Sequence, residues 1–95
     1  MIVNSESVLV SILVPVYKVE KYIEKCAMSL FEQTYDNIEY VFVDDCSPDD
    51  SIALLESIME RYPKRKEQVK IVAHEKNAGL SNARITGINN CSGLY

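Results

Sequence analysis

An α/β domain built on a parallel sheet is the fold class this sequence predicts, and three observations predict it. Apolar, β-branched runs recur at Val8 to Val14, Ile38 to Val43 and Val69 to Ala73. Each is followed by a stretch with helical apolar spacing, giving the order β-α-β-α-β-α. No internal repeat, low-complexity segment or linker breaks the alternation, and strands that alternate with helices of this length pair in parallel through right-handed crossovers. Such an array is one half of a Rossmann-like nucleotide-binding sheet.

After a polar leader, residues 1–7, the run VLVSILV reads as a first buried strand that Pro15 stops, since proline cannot donate to a ladder. From Glu20 to about Gln33 the residues Tyr22, Ile23, Cys26, Ala27, Leu30 and Phe31 fall on one helix face, opposite Glu20, Lys21, Glu24, Lys25 and Glu32. The second strand, Ile38 to Val43, is uninterrupted by charge and suits a central position buried on both faces. It ends in Asp44 and Asp45, then in the turn residues Ser47, Pro48, Asp49 and Asp50. Ser47 can cap the next helix, Pro48 fits its first position, and Asp50 completes a capping-box-like pattern.

That helix, Asp49 to about Tyr62, buries Ile52, Leu55, Ile58, Met59 and Tyr62 before Pro63 ends it. Lys64-Arg65-Lys66 then reads as a solvated basic loop, with contact to an anionic membrane as the alternative. Val69 to Ala73 is a short third strand, and His74 to Gly79 is a loop. Leu80 to about Asn90 forms a third helix with Leu80, Ala83, Arg84, Gly87, Ile88 and Cys91 on one side, closed by Ser92-Gly93.

The composition limits the function classes. Ninety-five residues make at most one small domain, 47% hydrophobic and 25% charged, as in ordinary globular proteins. A net charge of -4 supplies no basic excess for nucleic acid. The three cysteines, Cys26, Cys46 and Cys91, are widely spaced and form no CxxC pair, so neither a disulfide framework nor a zinc site is indicated. Cys26 and Cys91 fall on apolar helix faces as small core residues, and Cys46 is the exposed one. No signal peptide opens the chain, and no run reaches the roughly 18 apolar residues of a membrane span.

The chemistry gathers where the strands end. Three loops, Pro15 to Lys18, Asp44 to Asp50 and His74 to Gly79, meet at one edge of the sheet, where open α/β sheets hold their ligands. Asp45 is there as a helix-capping carboxylate or as a ligand contact. Tyr17 can pack or stack on a base. Asp44 can cap, bind ligand or bind a metal, but the two aspartates leave the strand on opposite faces and so do not share one ion. His74, without a nearby partner at ligand spacing, reads as a plain loop residue. Arg84 either snorkels along the core or points to an anion in the crevice.

The segments VSILVPVYKVEKYIEKCAMSL, FEQTYDNIEYVFVDDCSPDDS and NAGLSNARITGINNCSGLY, in this order and spacing, resemble the opening of bacterial glycosyltransferases of family 2, from Val10 to Tyr95. The resemblance implies a GT-A fold with strand order 3-2-1. It implies a nucleotide-sugar donor, most often a UDP-sugar, at the sheet edge. Pro15, Val16 and Tyr17 would line the base, with Tyr17 stacking. Asp45 would bond the uracil beside Asp44, and Gly79 and Arg84 would close over the base, ribose and phosphates. Lys18 and Ile85 depart from the family pattern, which commonly has Asn at both positions.

In the family, a fourth strand and an acidic motif holding Mg²⁺ or Mn²⁺ follow this segment, then an acceptor half with a general base. The resemblance therefore implies a donor-side fragment of an inverting hexosyltransferase that acts on a polysaccharide or lipid-linked glycan. By itself such a fragment is expected to be inactive, without metal ligands, and able to self-associate through the edge of its first strand. The resemblance also implies action in the cytoplasm, as for most relatives, often at the inner face of the membrane on lipid-linked acceptors. Two other readings are a non-catalytic nucleotide-binding module and a receiver-like phosphoacceptor domain. The second is disfavoured because His74, not an aspartate, follows the third strand.

Overall fold

The computed structural model describes residues 9–76 and 78–91. The leader, Val8, Asn77 and the Ser92-Gly93 closure lie outside them. The order is β1 (Val10–Val16), α1 (Ile23–Phe31), β2 (Ile38–Asp44), α2 (Ser51–Met59), α3 (Pro63–Lys66), β3 (Val69–Ala73) and α4 (Leu80–Asn90). The sheet has three strands in the order β1-β2-β3, both pairings parallel, with Val10 to Val16 opposite Ile38 to Asp44 and Tyr40 to Asp44 opposite Val69 to Ala73. This is the predicted α/β architecture, with the apolar β2 at the centre.

The period-2 alternation of β2 divides the core. Ile38, Tyr40 and Phe42 face a cluster with Val16, Ile23, Ala27, Phe31, Leu55, Ile58 and Met59. Val41 and Val43 face the other side, against Ala83, Leu13, Val72 and Cys91. So α1 and α2 share one layer and α4 covers the opposite face. Gly87 allows α4 to approach: a Cβ there would meet Leu13 Cδ2 at 2.6 Å, closer than side chains tolerate.

Several sequence expectations are corrected. β1 continues through Pro15 to Val16. Among the described residues β1 is an edge strand, where a missing N–H costs no ladder bond. In α1 only the row Ile23, Ala27 and Phe31 is buried, while Tyr22 is 70% exposed and Cys26 is exposed. That flank overhangs the end of β1 and lines an open groove with Val14, Pro15 and Val19. Cys91 is half-buried and Cys46 exposed, the latter as expected.

Helix α2 begins at Ser51, after Asp50, and no side chain of the expected capping box bonds its first turn. Pro63 does not merely end a helix. It occupies the first turn of α3, where its fixed φ and absent N–H are suited. The basic run is therefore α3, not a solvated loop, and Arg65 is only 6% exposed. Its guanidinium donates to the carbonyls of Phe31 (3.1 Å), Gln33 and Tyr35 (2.9 Å) and to Gln68 Oε1 (3.0 Å). Tyr40 Oη donates to Leu30 O at 2.7 Å beside it. At the C-terminal end of α1 the Leu30 and Phe31 carbonyls thus take donors from residues distant in sequence, and the cation sits at the negative end of the helix dipole.

Candidate functional site

The three strand-end loops do meet, and hydrogen bonds tie them together. Residues Lys18 and Cys46 adopt left-handed backbone conformations, with φ of 54° and 56°, which turn both loops sharply off their strands. The amides of Lys18, Val19 and Glu20 donate in succession to Ser47 Oγ (2.9 Å), Ser51 Oγ (3.1 Å) and Asp49 Oδ2 (3.2 Å). Asp49 Oδ1 accepts the hydroxyls of Ser47 and Ser51, both at 2.5 Å, and the Ser51 amide at 3.1 Å. Asp44 Oδ1 accepts the Ser47 amide at 3.0 Å, which makes Asp44 a turn-forming residue.

The Ser47 and Ser51 hydroxyls, then the backbone amides, hold the Asp49 carboxyl at about 2, against 3.8 for an ordinary aspartate. A depressed folded-state value means that the unfolded chain binds the proton more tightly. The resulting stabilisation is full above about pH 4 and is lost as pH falls toward 2. Asp49→Asn should therefore flatten the acid limb of the stability profile between pH 5 and pH 2 in urea-unfolding midpoints. An acid limb as steep as that of the wild type would refute the assignment. Asp45 shifts in the same direction, so the difference between the two proteins, not the whole limb, reports Asp49.

Asp45 is the buried carboxylate of the site, 3% exposed. Its amide donates to Val16 O at 3.0 Å, which joins the ends of β1 and β2. Its Oδ1 accepts the Ala78 amide at 2.8 Å and faces His74 Nδ1 at 2.7 Å, and its Oδ2 accepts the Gly79 amide at 3.0 Å. The Ala78 amide foremost, then the His74 contact, lower its pKa against the opposing effect of burial, so the carboxylate is ionised at neutral pH. Gly79, at φ 89°, precedes the first turn of α4 in a conformation that favours glycine. Asp45 thus latches the loop that enters α4.

The other expected site residues are distributed unevenly. Pro15 and Arg84 come together around an open cavity of about 300 Å³, with Leu13 and Ile88, and Arg84 is exposed there. Val16 is fully buried in the core, and its carbonyl accepts the Asp45 amide. Tyr17 is 38% exposed, with Lys18 Nζ 5.4 Å from its ring centroid. His74, read from sequence as a plain loop residue, instead bridges Asp45 and Thr86, whose Oγ1 lies 2.7 Å from Nε2. The signal was available in the pairing: β2 and β3 are parallel with Asp44 opposite Ala73, so the residue after β3 stands beside the residue after β2. Among the described residues no group of three or more His, Cys, Asp or Glu could hold a metal ion. No helix among them is long and apolar enough to cross a membrane.

The match to known proteins covers most of the chain. Residues 11–95 match the family described as glycosyl transferase family 2. The uncharacterized glycosyltransferase EpsJ of Bacillus subtilis is 46% identical over 87 residues, 92% of this chain and 24% of EpsJ. The glycosyltransferase GlyA of Streptococcus pneumoniae is 44% identical over 86 residues, 90% of this chain and 12% of GlyA. The chain therefore spans a quarter or less of these relatives. Among solved structures, the mannosyltransferase PcManGT from Pyrobaculum calidifontis, in complex with GDP-Man and Mn²⁺, superposes with a TM-score of 0.81 at 27% identity. The overlap covers 88% of this chain and 24% of PcManGT. The three parallel strands and their helices are those of GT-A glycosyltransferases, and with the family match across residues 11–95 this chain belongs to glycosyl transferase family 2.

Proposed function

We propose that this chain, from residue 8 to 95, forms the donor-nucleotide side of an inverting hexosyltransferase. The whole protein would move a sugar from a UDP-sugar to a polysaccharide or lipid-linked glycan, in the cytoplasm and for a lipid-linked acceptor at the inner membrane face. The observation that carries this reading is Asp45, an ionised carboxylate buried where three strand-end loops converge in a family 2 fold. A buried anionic acceptor fits a nucleobase that presents a ring N–H. Tyr17 is exposed enough to stack on that base, and Arg84 is free to approach the phosphates.

Transfer itself belongs in this reading to the whole protein, of which the chain matches only a part. A divalent cation on the donor diphosphate, as the Mn²⁺ with GDP-Man in PcManGT suggests, would be held by residues outside those described. The described side chains do not fit one. What this chain contributes is binding and orientation of the nucleotide, which brings the reacting sugar to a fixed place.

The test is calorimetric titration of UDP and of GDP, each with and without Mn²⁺. UDP is expected to bind without metal, and Asp45→Ala to abolish that binding. Equal UDP affinity in wild type and Asp45→Ala would remove Asp45 from the base site. Preferential binding of GDP would overturn the assignment of a uridine donor.

A further inference from the structure

His74 is the one histidine of the chain, and the nucleotide reading above leaves it without a role. Its surroundings are defined on both ring nitrogens. Nδ1 lies 2.7 Å from Asp45 Oδ1 and Nε2 2.7 Å from Thr86 Oγ1, and the side chain is 16% exposed. Its amide donates to Asp44 O at 2.8 Å, extending the β2–β3 ladder by one residue, so its backbone is fixed as well.

The ionised Asp45 carboxylate can only accept, so Nδ1 must carry a hydrogen. In the neutral ring Nε2 is then the acceptor, and the Thr86 hydroxyl donates to it. One tautomer satisfies both contacts: the acceptor-only Asp45 selects it, and the Thr86 hydroxyl of α4, which donates to Nε2, fixes the plane of the ring. Without His74, Asp45 would keep, among the described residues, the two amides of Ala78 and Gly79, which belong to the loop it has to hold. His74 is therefore the contact that ties the carboxylate to the strand end rather than to the loop.

We propose that His74 is the positioning residue for Asp45, and that Thr86 positions His74 in turn, so that α4 sets the orientation of the nucleotide-binding carboxylate. The part of this that concerns nucleotide rests on the proposed function; the orientation of Asp45 does not. With His74 removed, the carboxylate rotates with the 78–79 loop and presents its acceptor oxygens in more than one direction. With Thr86 replaced by valine, the imidazole loses the hydroxyl that fixes its ring plane while the shape of the site is kept.

The experiment compares wild type, His74→Ala, His74→Asn and Thr86→Val. Three readouts are taken: the ¹⁵N shifts of the His74 ring, amide exchange at Ala78 and Gly79, and UDP affinity. The ring is expected as the Nδ1–H tautomer in wild type and, still held by Asp45, in Thr86→Val, where loss of the Nε2 partner should shift the Nε2 resonance and broaden the ring signals. UDP affinity should fall about tenfold in Thr86→Val, the loss of about one hydrogen bond, and further in His74→Ala. His74→Asn, whose amide reproduces the Nδ1 donor, should recover most of the loss. UDP affinity equal in wild type and His74→Ala would overturn the proposal. If the wild type binds no UDP, the nucleotide reading fails by itself and amide exchange decides. Faster exchange at Ala78 and Gly79 in His74→Ala upholds the positioning role, and unchanged exchange refutes it.

Discussion

Phe31→Ala is expected to remove about 3–5 kcal/mol of unfolding free energy, the range for emptying a buried aromatic site. Phe31 is 3% exposed and is where the aromatic residues of the larger cluster converge. Its ring stands edge-on to Tyr40 at 5.2 Å and to Phe42 at 6.3 Å, and is tilted against Tyr62 at 5.5 Å between centroids. One truncation therefore opens the contact between α1, the central strand and the segment between α2 and α3. A small domain has only about 5–15 kcal/mol in total, so much of the population should unfold at modest denaturant. Urea unfolding followed by circular dichroism measures this. A loss under about 1 kcal/mol would mean that the cluster collapses around the gap and that Phe31 is not its keystone. Phe31→Leu, which keeps most of the volume, should lose much less.

Arg65→Met should cost on the order of 3 kcal/mol, because methionine keeps the apolar stem and leaves the carbonyls of Phe31, Gln33 and Tyr35 without their donor. Arg65→Lys should recover only part, since one ammonium cannot reproduce a planar fork aimed at several acceptors. The same substitutions in a solvated loop would change stability by less than about 0.5 kcal/mol, so the two readings of the basic run give clearly separated outcomes. Lys64 and Lys66 supply the comparison. Both are exposed and pair on the surface with Asp36 and Glu60, and their replacement by methionine should be close to neutral. Equal small effects at all three positions in denaturant midpoints would show that the charge at Arg65 is not holding the end of α1.

The misreading of Arg65 is instructive about what local sequence contains. Lys64-Arg65-Lys66 has the composition of a solvated turn, and nothing within ten residues marks the middle cation as different. The difference is made by α1, which ends about thirty residues earlier with unpaired carbonyls, and by β2, which brings Tyr40 beside them. Cys26 fails in the opposite direction. Its helical spacing is that of a core residue, but among the described residues the sheet under that flank ends at β1, so the apolar face is wider than the surface they offer to bury it. At the site, Asp45 was legible because an apolar strand ending in carboxylates is unusual by itself. Of its partners, His74 was signalled by the parallel pairing of β2 and β3, whereas Ala78 and Gly79 come from the loop that enters α4, whose path only the assembled chain sets.

What the sequence determined by itself is the set of elements and their order. Hydrophobic period distinguishes strands from helices within a few residues, and strands that alternate with helices pair in parallel with their following loops at one edge. What only the tertiary structure decided is the partner of each polar group: Arg65 on the end of α1, Asp49 across two loops, and His74 between Asp45 and Thr86. The physical reason is one of range. Apolar burial is non-directional and is written in local periodicity, whereas a hydrogen bond requires two atoms within about 3 Å, a condition that only the assembled chain fulfils.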